Sequence, residues 1–106
     1  MSKLEAAFEQ ELYDTYHQAA AKGYRATYFF QMLGKYGGVG TAQRLLATDE
    51  VAEGLMKLWE LRQLNISVEA VVFKPEYAAL FTDVERGRAR QRLTSVDYKA
   101  PWDRGE

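Results

Sequence analysis

The sequence predicts an all-α protein, a single compact bundle of about six or seven short helices. Three observations predict it. Apolar residues recur at three- and four-residue spacing along most of the chain, and two capping-box patterns open helical stretches. The one valine-rich cluster that also fits a strand, Val68, Val71 and Val72, has no second strand to pair with.

Each element has a local reason. Ser2 and Glu5 hold the capping-box spacing, in which each side chain satisfies an orphan amide of the other residue. Leu4, Phe8, Leu12, Tyr16 and Ala19 then form one apolar stripe, which Gly23 ends because it has no Cβ to resist the left-handed conformation. A second helix carries Phe29, Met32, Leu33 and Tyr36 and runs into Gly37-Gly38. A third, short helix carries Val39, Ala42, Leu45 and Leu46 and frays at Ala47-Thr48.

Thr48 or Asp49 is expected to cap a fourth helix, with Asp49, Glu50 and Glu53 near its positive end. Its stripe is Val51, Leu55, Leu58 and Trp59, and Asn65 is expected to end it. Ser67 caps the short valine-bearing helix. Pro75 suits the first position of another, where its missing amide costs nothing, and Tyr77, Leu80 and Phe81 supply its buried side. Thr82 and Glu85 open the last helix, which is expected to run to about Leu93. Residues 1–93 are read as one helical domain. Residues 94–106, polar apart from Val96, Tyr98 and Trp102, are read as a C-terminal tail over the surface or loose.

Composition narrows the function classes. A chain of 106 residues buries roughly 65% of its unfolded surface, enough for one core and too little for two. With 47% hydrophobic and 13% aromatic residues, an ordered globule is expected. No apolar run approaches the roughly 20 residues of a membrane span, and no charged-then-apolar leader is visible, so no membrane partner is expected. The absence of cysteine removes disulfides, thiolate metal sites and cysteine nucleophiles, and makes a cytoplasmic location the default. A net charge of −1 argues against a dedicated nucleic-acid binder.

Catalytic signatures are missing. His17 is the only histidine, so a histidine-rich metal site or a Ser-His-Asp triad has little to be built from. Ser2 and Ser67 read as caps, and no Gly-x-Ser-x-Gly elbow occurs. Gly37-Gly38-Val39-Gly40-Thr41 lacks both the lysine of a P-loop and a preceding strand. It reads as a helix-to-helix corner, with a residual anion site at the third helix's free amides, near Thr41 and solvent. The expectation is a non-enzyme with no catalytic residue, cofactor or metal.

Two candidate surfaces remain. Arg86, Arg88, Arg90 and Arg92 punctuate the last helix, and Tyr24, Tyr28, Phe29 and Phe30 crowd the start of the second. At that density of rings some must reach the surface, where aromatic residues anchor partners. Arg86, Arg88, Arg90, Arg92, Tyr24 and Tyr28 are therefore the candidate interaction surface, for another protein or for self-association. The alternative is a nucleic-acid-associated domain, helix-turn-helix-like or nuclease-accessory, that uses Arg44 or the arginine helix. Tyr24 to Tyr36, the glycine turn and Thr41 to Ala47 have a helix-turn-helix outline, with Gln43 and Arg44 available for base edges.

The run Gly23 to Phe29, Gln31-Met32, Gly37-Gly38 and Thr41 to Leu46 stand together with Glu53-Gly54, Leu58-Trp59-Glu60 and Leu64 to Val72. With Leu80-Phe81-Thr82 and Ala89 to Leu93, this pattern resembles an uncharacterised family of small bacterial all-helical domains. The resemblance spans about Leu4 to Leu93. It implies a helical fold and a bacterial cytoplasmic setting, and it carries no assigned activity or site residue.

Overall fold

The computed structural model describes residues 2–48 and 53–103. Among them are α1 (Lys3–Ala21), α2 (Thr27–Leu46), α3 (Glu53–Glu60), α4 (Val68–Val72) and α5 (Asp83–Ser95). Two 3-10 helices, Leu64–Ile66 and Pro75–Leu80, flank α4, and no strand occurs among these residues. The protein is an all-α bundle.

The local start signals act as the sequence predicts. Ser2 and Glu5 exchange hydrogen bonds of 3.1 and 3.2 Å, and Thr82 and Glu85 exchange bonds of 3.1 and 2.9 Å. The Ser67 hydroxyl accepts from the Ala70 amide at 3.1 Å and opens α4. Pro75 occupies the first position of its 3-10 helix.

Three helix ends share one device. After α1, Gly23 sits at φ 102°, with the Tyr24 amide donating to Ala19 O at 2.9 Å and the Gly23 amide to Ala20 O at 3.0 Å. Arg62 (φ 57°) does the same after α3 and Asp97 (φ 57°) after α5. This corrects two expected boundaries. The fourth predicted helix ends at Glu60, not Asn65, because Arg62 reverses the backbone and Asn65 enters the 3-10 turn. The last one reaches Ser95, where Asp97 turns it.

The second and third predicted helices meet at the expected corner: α2 is two helical halves joined across a kink at Gly37 (φ 75°, ψ 179°), its one residue outside helical geometry. The Thr48 hydroxyl donates back to Leu45 O at 3.2 Å, and its expected cap on the residues that follow lies outside the described residues. Trp59 is half exposed, because Leu55 and Leu58 take the inner face of α3. The expected roles of Asp49, Glu50 and Val51 lie outside the described residues, as does the end of the tail from Arg104 to Glu106.

Two joined clusters make the core. In one, Phe8 packs edge-on against Tyr77 and Phe81, with both ring centroids at 5.1 Å, beside Leu12, Leu33, Leu46, Val71 and Val72. In the other, Leu55, Leu58, Leu64, Ile66, Ala70 and Leu93 meet. Val96, Tyr98 and Trp102, which follow α5, pack against this second cluster, and Ala100 is buried. The buried helix α4 contributes to both clusters and lies against α1, α2 and α5.

Candidate functional site

The glycine corner holds an anion, and the anion belongs to the chain. Breaking the helix at Gly37 frees the Gly38 amide, and Glu9 Oε1 of α1 accepts it at 2.8 Å. Thr41 is fully buried. The residual anion site expected there, open to solvent near Thr41, is thereby corrected: the Glu9 carboxylate takes the Gly38 amide, and Thr41 and Ala42 face the core.

The four arginines of α5 turn largely to their own fold. Arg92 is buried, 7% exposed, and donates to Leu45 O at 2.9 Å, to Thr48 O, and to Glu69 Oε2 at 3.3 Å. Arg88 donates to Leu46 O at 3.0 Å. Together they satisfy carbonyls at the negative end of α2 that have no partner within the helix. Arg86 donates to Phe73 O at 3.2 Å and lies over the Phe73 ring, and Arg90 pairs with Asp103 at 3.0 Å. Periodicity spreads these residues around α5 but does not show that one direction around that helix points into the bundle.

Glu69 is buried with Arg92. Burial pushes its carboxyl above the usual carboxylate range, while its own backbone amide and then Arg92 pull it down. Glu11 joins a second, half-buried group, accepting from Tyr77 Oη at 2.6 Å and from Lys74 Nζ at 2.5 Å. Burial first and the Glu11 contact second hold the Tyr77 phenol far above its ordinary range.

Gln43 and Arg44 are exposed on the second half of α2, with the Arg44 guanidinium 3.8 Å from the Tyr36 ring centroid. The interruption before them is one residue long, whereas a helix-turn-helix uses a turn of about three or four.

The aromatic end of α2 has a different setting. Tyr24 and Tyr28 line a cavity of about 370 Å³ between α1, the start of α2, α3 and the start of α4. Its wall is mainly apolar, with Met32, Leu55, Leu58 and Ile66 inside and Tyr16 and Phe29 beside them. Tyr28 is 73% exposed. Tyr16 continues the aromatic surface by packing on Phe30 at 4.8 Å, and Phe30 meets Tyr13 at 5.8 Å.

Arg25 and Glu53 also line the cavity, and Glu69 reaches it from the interior. Burial, and secondarily the charge of Glu53, raises the Tyr24 phenol, which keeps it an O–H donor at neutral pH. Gly54 faces that hydroxyl: a Cβ there would stand 3.6 Å from it. Ala26 precedes α2 with no side chain able to cap it, so the start of that helix adds partial positive charge beside Tyr28.

Sequence reasoning reaches Tyr24 and Tyr28 through the density of rings. It misses Arg25, Glu53 and Gly54, which ordinary surface and helix roles explain equally well. Among the described residues no group of three or more His, Asp or Glu side chains is placed to hold a metal ion. No described helix is long and apolar enough to cross a membrane. Comparison with protein-family models, with curated proteins and with solved structures returns no match.

Proposed function

We propose that the chain is a non-catalytic protein-interaction module, acting in the cytoplasm, that receives an apolar side chain of a partner protein in the aromatic-rimmed cavity. The observation that carries this reading is the position of Tyr28. A ring 73% exposed to solvent beside a mainly apolar cavity of about 370 Å³ costs hydration free energy that a partner's side chain would recover. Interface hot spots favour such a ring next to a pocket that empties of water on binding.

The nucleic-acid reading has less support. The arginines of α5 are directed to carbonyls, Phe73, Glu69 and Asp103 of the same chain, and Arg44 lies against Tyr36. A gel shift at low salt tests it, since phosphate contacts strengthen as salt falls.

Selection of random peptides against the immobilised protein tests the preferred reading. Enrichment of sequences with a shared apolar residue is expected. Tyr28→Ala and Gly54→Leu should each lose them, the second by filling the cavity, with the helical circular-dichroism spectrum retained. Failure to enrich any sequence, or full binding by Gly54→Leu, would overturn the proposal.

A further inference from the structure

The cavity beside Tyr28 is larger than one side chain can fill. A dry apolar cavity of about 150 Å³ takes one benzene ring. The cavity between α1, α2, α3 and α4 holds about 370 Å³, more than twice that. A leucine or phenylalanine side chain would leave roughly half of it without packing partners, which forfeits contact energy. Hollows of roughly 300–1,000 Å³, mainly apolar with a few polar groups, are the usual sites of small molecules.

The wall selects against an ion. Arg25 and Glu53 line it with opposite signs, and neither is hydrogen-bonded or ion-paired to another described residue. Glu69, which also lines it, is paired with Arg92 at 3.3 Å. Among the described residues the wall therefore has no net charge to compensate an ion that leaves water. Neutral hydrogen bonding is available. A Cβ on Gly54 would stand 3.6 Å from the Tyr24 hydroxyl, and both residues line the cavity, which places that O–H at the wall. The Thr15 and Ser67 hydroxyls, by contrast, donate to Leu12 O and Leu64 O, each at 2.8 Å. Tyr16, Tyr24, Tyr28 and Phe29 supply ring surface, which packs well against another ring.

We propose that the cavity binds a neutral small molecule of about two rings, on the order of 10–15 non-hydrogen atoms, with a hydroxyl or carbonyl near Tyr24. Such a ligand takes the space that a partner's side chain would enter, so the two exclude each other. The ligand site stands on the cavity alone, and only the exclusion rests on the reading of the cavity as a partner-binding site.

The experiment titrates the intact protein with four probes and follows its backbone amides by NMR. Three probes share one ring system and differ in charge: β-naphthylmethanol, β-naphthoate and β-naphthylmethylammonium. Benzyl alcohol is the one-ring comparison. The naphthyl alcohol should shift the amides of Met32, Gly54 and Leu58, and should bind about tenfold more tightly than benzyl alcohol, because a second ring is buried. Both ions should bind about tenfold more weakly than the alcohol at pH 7. Gly54→Leu, which fills the cavity, should lose the alcohol with its helical circular-dichroism spectrum retained.

If the naphthyl alcohol leaves those amides unmoved, or benzyl alcohol matches it, the small-molecule site is overturned, while peptides enriched on the same protein leave the partner site standing. An ion that binds as tightly as the alcohol overturns the neutral class. Displacement of an enriched peptide by the naphthyl alcohol is expected, and binding of both together overturns their exclusion.

Discussion

Glu9 and Gly38 fix where α1 crosses α2. Glu9 Oε1 accepts from the Gly38 amide at 2.8 Å, and a Cβ on Gly38 would stand 2.6 Å from Glu9 Cα. Backbone occupies that space, so the crossing is as close as it is only because residue 38 has no side chain. The same carboxylate that caps the second half of α2 is carried by the helix that half packs against.

Gly38→Ala is therefore expected to cost about 1–3 kcal/mol, because the helices must separate to admit a methyl group. Glu9→Ala should cost about 1 kcal/mol through the lost cap, whereas Glu9→Gln keeps an acceptor and should cost less. Urea denaturation of the variants measures both. Unchanged stability in Gly38→Ala would show that the crossing is looser than the distances indicate.

Thr41 gives a change in the opposite direction. Its side chain is fully buried, and its hydroxyl has no hydrogen-bond partner among the described residues. Thr41→Val keeps the shape and removes the unsatisfied group, so a gain of about 1 kcal/mol is expected in the same denaturation assay. A loss would mean that the hydroxyl does find a partner in solution.

Arg62 holds a left-handed conformation (φ 57°) that L side chains resist by about 1–2 kcal/mol. Glycine would relieve that resistance and lose part of the gain to its greater freedom when unfolded. Arg62→Gly should raise stability by about 0.5–1 kcal/mol, visible as a higher thermal midpoint. Asp97→Gly should gain less, because Asp tolerates this region better than Arg.

The Glu69–Arg92 pair predicts a pH dependence. Burial raises the folded-state value of Glu69 above its ordinary 4.5, so the native chain binds that proton more tightly than the unfolded chain does. Its contribution to stability is full below about 4.5 and is lost as pH rises through the raised folded value. Glu69→Gln should flatten the fall in stability just above pH 4.5, and matching slopes for the two proteins would refute this account. Arg92→Ala, which strands a buried carboxylate and takes a donor from the carbonyls of Leu45 and Thr48, should cost about 3–5 kcal/mol at neutral pH.

The sequence by itself determines the helical class and most helix starts. Ser2 with Glu5, Ser67 with Ala70, and Thr82 with Glu85 bond across three residues, so both partners lie in one short window of sequence. Gly23 is legible for a similar reason, since its conformation favours one residue type. The ends at Arg62 and Asp97 are not, because residues that normally avoid that conformation adopt it under tertiary packing.

Only the tertiary structure decides what the distinctive side chains do. Glu9 meets Gly38 across 29 positions, and Arg92 meets the end of α2 across 44 and 47. Periodicity gives the direction of a side chain around its own helix, but not the neighbour waiting there. The glycine run, open as sequence, is filled by Glu9, and the arginine helix is turned inward by carbonyls at the end of α2. The cavity at Tyr24, Arg25 and Tyr28 arises where helices from separate parts of the chain fail to fill the space between them. Such a space depends on how whole elements pack, and that packing is set by contacts between residues far apart in sequence.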